Sequence, residues 1–186
     1  MSVLPQSVRA QNLAHFLSRN ARRIGARPAI ISGERRIDWA ELDARVSALA
    51  AAMRDRFAIR QGDRVLIQLR NSPEIIETML ACWRLGAVWV PANYRQSPDE
   101  AVYFAQKAEP ALMICEADFS DHAAACAAAL PGRLGVISIG GEFGSAYHDL
   151  VKSFAGIAVA DAEVARDDPC WLFLPLVRPD VPRPRR

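Results

Sequence analysis

The stretch "GDRVLIQLRNSPEIIETMLACWRLGAVWVPANYRQSPDE", residues 62–100, decides the fold. Gly62-Asp63 make a turn. Residues 64–69, "RVLIQL", are rich in β-branched and leucine side chains, as a buried strand is. Ser72 stands at an N-cap, and Pro73 at the first helical position, where its missing N–H is not needed. Ile75, Ile76, Met79, Leu80 and Trp83 are the expected inward face of the helix. Gly86 is expected to end it in the left-handed conformation. Residues 87–92, "AVWVPA", read as the next strand. A strand, a helix and a strand in this order imply a right-handed crossover and parallel pairing.

Upstream, "NLAHFLSRNARRIG" places Leu13, Phe16, Leu17 and Ile24 on one helical face and stops at Gly25. "PAIIS" and "RRID" flank Gly33-Glu34 and read as a β-hairpin. Asp38 caps the following helix, with Glu41 three residues on and Leu42, Val46, Leu49 and Met53 as its buried stripe. Downstream the alternation continues. Ser97-Pro98-Asp99-Glu100 opens a helix with a capping box, and "ALMICE" is a strand. "FSDHAAACAAAL" is a helix, "LGVISI" a strand and "SAYHDLVKSF" a short helix. "GIAVADAEVARDD" is a surface connection, and "CWLFL", residues 170–174, is the last expected strand. Together these predict a doubly wound α/β fold, a mainly parallel sheet with helices on both faces.

Composition narrows the function classes. The chain has 186 residues, 51% of them hydrophobic, which is a globular composition. Its net charge of +2 is unevenly placed. Four Arg (178, 183, 185 and 186) and Asp180 give +3 after Leu172, so the preceding residues sum to −1. Nucleic acid is therefore not an expected partner. No apolar run is long enough for a membrane span, and the N-terminus lacks a signal-peptide core. Cys82, Cys115, Cys126 and Cys170 form no CxxC pair and read as buried thiols of a reducing compartment. The cytoplasm is the expected location.

Each candidate for chemistry has a plainer reading. "IGGEFG", residues 139–144, follows a strand but is neither GxGxxG nor a P-loop, and reads as a turn. His15, His122 and His148 lack metal-ligand spacing, and His15 and His122 are expected on helix surfaces. Asp167-Asp168 precede Pro169 and read as a solvated turn. Trp39, Trp83 and Trp89 fall in apolar patterns and are expected to pack in the core. No GxSxG elbow occurs. The PxxP from Pro179 to Pro182 matches a polyproline ligand only loosely. No catalytic, cofactor-binding or metal-binding residue is assigned.

Residues 62–100 resemble the N-terminal part of the AMP-forming acyl-CoA synthetases, in the adenylate-forming ligase superfamily. The likeness rests on the order Gly-Asp-Arg-Val, Asn-Ser-Pro-Glu, Leu-Gly-Ala-Val and Pro-Ala-Asn, and extends over about residues 10–173. It implies a family that activates a carboxylic acid, here expected to be a fatty acid, with ATP and Mg²⁺. The acyl-adenylate is then passed to coenzyme A. In that family a Ser/Thr/Gly-rich loop followed by Pro-Lys grips the phosphates after the strand that corresponds to Asp167–Phe173. Here "LPLVRPDVPRPRR" stands instead, with no Gly after Gly156, no Thr after Thr78 and no Lys after Lys152. Proline removes the N–H donors that such a loop needs.

The expected organisation is therefore an incomplete N-terminal subdomain of an adenylate-forming ligase over 1–172. A Pro/Arg-rich, disordered tail is expected over 173–186, and a reading-frame change after the codon for Phe173 would produce it. On this reading ATP, Mg²⁺ and coenzyme A are cofactors of the family and are not bound productively by this chain, which is expected to be inactive alone. The alternative is a non-catalytic α/β interaction or dimerisation module. A sheet without its downstream strands leaves an edge open to self-association, as homo-oligomer or aggregate.

Overall fold

The computed structural model describes residues 12–174. Of the tail expected over 173–186, the part from 175 onward, with its PxxP, lies outside the described residues. Helix α1 (His15–Ile24) leads into an antiparallel hairpin of β1 (Pro28–Ser32) and β2 (Arg35–Asp38). Its two-residue turn needs positive φ, which Gly33 supplies at 60°. Asp38 then caps α2 (Trp39–Phe57), accepting the Glu41 N–H at 2.8 Å. Leu42, Val46, Leu49 and Met53 are buried as their spacing predicts. Burying each contributes roughly 1.5–3 kcal/mol.

The remaining elements build one parallel sheet. They are β3 (Arg64–Gln68), α3 (Pro73–Leu85), β4 (Val88–Pro91), α4 (Pro98–Ala108), β5 (Leu112–Glu116), α5 (Ser120–Ala129), β6 (Gly135–Ile139), β7 (Ser145–Ala146) and α6 (Tyr147–Ser153). The strand order is β4-β3-β5-β6-β7, with every adjacent pair parallel. The chain steps from β3 outward to β4 and then crosses to β5 on the other side of β3. Right-handed crossovers make that reversal place helices on opposite faces. One face packs α2, α3 and α6 on Val65, Ile67, Leu112, Ile114 and Ile137. The other packs α4 and α5 on Leu66, Val90, Met113, Cys115 and Val136. The capping box at Ser97 and Glu100 is present in full.

Four local expectations are corrected. First, α3 is rotated relative to its apolar pattern. Its buried residues include Glu74, Glu77, Thr78, Cys82 and Arg84, whereas Ile76 is exposed. The cause is ionic: Arg35 and Arg45 meet Glu74 and Glu77, and Asp43 and Asp161 meet Arg84. Second, Ser72 has the extended backbone of an N-cap, but its hydroxyl accepts no helix N–H. Third, Leu13 and Phe16 of the first helical pattern are exposed and only Leu17 is fully buried. Fourth, "CWLFL" is not a regular strand. It touches β4 through one parallel bridge, Trp171 to Trp89, and its Cys170 is exposed rather than buried.

Candidate functional site

In an open parallel sheet, ligands bind beyond the carboxyl ends of the strands, where the strand order reverses. Here the reversal lies between β3 and β5. Gln68 ends β3, and its register neighbours on the same face are Cys115 of β5 and Ser138 of β6. All three are buried. The Gln68 amide nitrogen lies 2.8 Å from His122 Nδ1 on α5. An amide nitrogen only donates, so Nδ1 accepts and the neutral ring carries its proton on Nε2. Burial lowers the His122 pKa, with Asp121 opposing, and favours that neutral ring.

Arg70 stands two residues past β3. Its backbone N–H and guanidinium both reach Glu116, at 2.7 and 2.9 Å, and the guanidinium also meets Asp118 at 2.7 Å. It lies over the Phe119 ring at 5.2 Å. The hydrogen bond it donates to Asp118 leads in raising its pKa, against desolvation. On the β4 side, Asn93 turns the chain by accepting the Arg95 N–H, and Gln96 is buried just before α4. Gln68 Oε1, both Gln96 amide atoms and Ser138 Oγ have no hydrogen-bond partner among the described residues. Buried polar atoms of this kind are normally satisfied by water or ligand.

This edge can position a polar group, but it fits nucleotide phosphate poorly. One guanidinium is already shared by two carboxylates, so the Arg70 cluster is net negative. Among the described residues no group of His, Cys, Asp and Glu could hold a metal ion. No step of catalysis is therefore derived through ATP or Mg²⁺ from these residues.

The residues weighed in the sequence scatter. His15 lies at the start of α1, and His148 is exposed on α6. Asp167 is exposed, while Asp168 accepts the Ala165 N–H at 2.7 Å within its own turn. Trp89 is buried, and Trp83 and Trp39 are half-buried. Ile139 ends β6, and residues 140–144 form an irregular connection with positive φ at Gly140 and Gly144. His122 alone among the three histidines reaches the sheet edge. Neither Gln68 nor Gln96 belongs to a motif in the sequence. The available signal was a glutamine inside the apolar run "RVLIQL".

The doubly wound sheet with its open carboxyl edge defines an open parallel-sheet α/β unit. More specifically, residues 17–173 match the family model described as AMP-binding enzyme, and the chain belongs to that family. It is 27% identical over 155 residues to a 3-hydroxybenzoate–CoA ligase of Aromatoleum sp. (strain CIB), covering 82% of this chain and 29% of that protein. A solved structure of a putative long-chain-fatty-acid CoA ligase from Rhodopseudomonas palustris superposes with a TM-score of 0.76 at 27% identity, covering 85% of this chain and 40% of the other. A benzoate CoA ligase from Burkholderia xenovorans LB400 shares the fold, with a TM-score of 0.77 at 19% identity over 87% of this chain and 32% of that one. The chain thus spans less than half the length of these proteins. Among the described residues no helix is long and apolar enough to cross a membrane.

Proposed function

We propose that this chain is the N-terminal portion of an acid–CoA ligase. It supplies the first parallel sheet, against which an ATP-dependent acyl-adenylating site is completed by other residues. The single observation that carries this is the family match over residues 17–173. In the complete enzyme a carboxylic acid is activated with ATP and transferred to coenzyme A. The similar proteins favour an aromatic acid: hydroxybenzoate–CoA ligases occur among them, against one putative long-chain-fatty-acid CoA ligase. The fatty acid expected from the sequence is the less favoured reading.

On this reading the rest of the enzyme completes the phosphate site, and the chain alone is inactive. Pyrophosphate release tests this, using purified chain, ATP, Mg²⁺, coenzyme A and a panel containing 3-hydroxybenzoate, benzoate and a long-chain fatty acid. The expected result is background for every acid. Acid-dependent turnover well above background would overturn the account of the chain as a portion that needs the rest.

A further inference from the structure

Gln68 closes β3 with its side chain 0% exposed, so the described residues by themselves cover it. β3 is paired on both sides, with β4 and β5, and its backbone there cannot adjust. The soft coordinate is the terminal amide torsion, which is roughly two-fold. The amide nitrogen lies 2.8 Å from His122 Nδ1, while Oε1 has no partner among the described residues. The His122 ring also packs on Phe119, with centroids 5.5 Å apart.

This orientation has a physical reason. With a neutral ring, an amide that donates to Nδ1 leaves an oxygen unpaired. The opposite orientation, with the ring proton on Nδ1, leaves both amide N–H groups without an acceptor. Buried donors without a partner are the rarer orphan in native interiors. Protonation reverses the choice. The ring is half-buried, so the proton comes from solvent. The imidazolium keeps its Nε2–H, and the new proton sits on Nδ1. Two donors then face each other across the same 2.8 Å. Turning the amide over puts Oε1 on the Nδ1–H and restores the bond.

We propose that Gln68 is an amide switch set by His122: it donates to the neutral ring and turns over to accept from the protonated one. What the end of β3 offers changes with it, at the point where the strand order reverses. Above the transition the free group is an oxygen, which suits a hydroxyl or water donor. Below it the free group is an NH₂ beside a cation, which suits a carboxylate or phosphate oxygen. The charge that acts on the ring is Asp121, its neighbour on α5. Past β3 and β5, Arg70 is held by Glu116 and Asp118. On α4, Glu100 caps at Ser97, Asp99 is exposed, and Lys107 lies over the Tyr103 ring. Burial keeps the thiols of Cys115 and Cys126 protonated. This inference does not rest on the acid–CoA ligase reading.

NMR of the wild-type chain labelled with nitrogen-15 and carbon-13 tests it, from about pH 8 to about pH 5, the span in which histidine titrates. At the upper end, a scalar coupling from Gln68 Nε2 to His122 Nδ1 across the hydrogen bond is expected, with the ring proton on Nε2. As the ring titrates, that coupling should vanish, Nδ1 should carry a proton, and the Gln68 carboxamide carbon should shift with the same midpoint. A ring proton on Nδ1 at the upper end, carboxamide resonances that stay fixed while the ring titrates, or a ring that stays neutral throughout would each overturn the proposal. Gln68→Glu presents an acceptor in either orientation and should raise the proton affinity of His122 about tenfold or more. An unchanged affinity in that variant would overturn it as well.

Discussion

The Tyr147 hydroxyl donates to a Glu77 carboxylate oxygen across 2.7 Å, and both side chains are sealed from water. The bond ties α6 to α3 beneath the sheet. Arg45 grips the same carboxylate with two nitrogens, at 2.7 and 3.0 Å. Burial, followed by the Glu77 charge, pushes the Tyr147 phenol well above its usual range. Tyr147→Phe should destabilise the fold by about 1.5–3 kcal/mol, the usual worth of a hydrogen bond to a charged group. Glu77→Leu should cost more, about 3–5 kcal/mol, because Arg45 loses its buried partner. Urea denaturation followed by circular dichroism reads both.

Arg84 is the second buried charge of α3. Its guanidinium meets Asp43 at 2.6 Å, Asp161 at 3.1 Å, Ser47 at 2.6 Å and Ser18 at 3.0 Å. It joins α1, α2, α3 and the connection after α6 at one point. Arg84→Met strands two carboxylates and should lose about 3–5 kcal/mol. Arg84→Lys should recover less than half of that, because one ammonium cannot reproduce the planar fork. Equal stability of Lys and wild type in a thermal melt would contradict the geometry.

These two networks also explain what the sequence could and could not convey. Strands β1 to β6, their order with the helices and the caps at Asp38, Ser97 and Gly86 were legible, because each depends on neighbours a few residues away; the two-residue β7 was read as part of a helix. The buried face of α3 was not. Local periodicity favours Ile75, Ile76 and Met79, but the partners that bury Glu77 and Arg84 sit 32 to 77 residues away. Gln68 and His122 are separated by 54 residues, and nothing local links them. "CWLFL" carries a strand's composition, yet a regular strand also needs a longer ladder than one bridge. The fold was therefore readable, and the sheet-edge site largely was not.

Acid should weaken the fold through two groups in turn. Burial lowers the His122 pKa from its ordinary 6.5, so the unfolded chain binds the proton more readily. Its stability contribution is full above that value and fades as pH falls from there through the folded pKa. For Glu74, burial opposes the charge, but the Arg35 hydrogen bond and others outweigh it and hold the carboxyl below its ordinary 4.5. That contribution is present above 4.5 and disappears as pH drops through the lowered folded value. His122→Gln should flatten the first limb of a stability-versus-pH curve and Arg35→Met the second. Unchanged limbs would refute the assignments.

Thiol reactivity should divide the four cysteines. Burial pushes Cys115 up to about 12 and Cys126 up to about 11, and Cys82 higher still. The thiolate is the reacting form, so these three should resist maleimide at mildly alkaline pH while exposed Cys170 reacts. Mass spectrometry of the native chain should show a single adduct, on Cys170, and four after denaturation. Fast native labelling at Cys82 would contradict the packing of α3 on the sheet.

The most direct test of the proposed role is a graft. Residues 17–173 of this chain replace the aligned portion of the Aromatoleum 3-hydroxybenzoate–CoA ligase, and ATP–pyrophosphate exchange is measured with 3-hydroxybenzoate. The account predicts acid-dependent exchange well above that of the same ligase lacking the segment. A chimera that melts cooperatively, yet shows no exchange beyond that background, would contradict it.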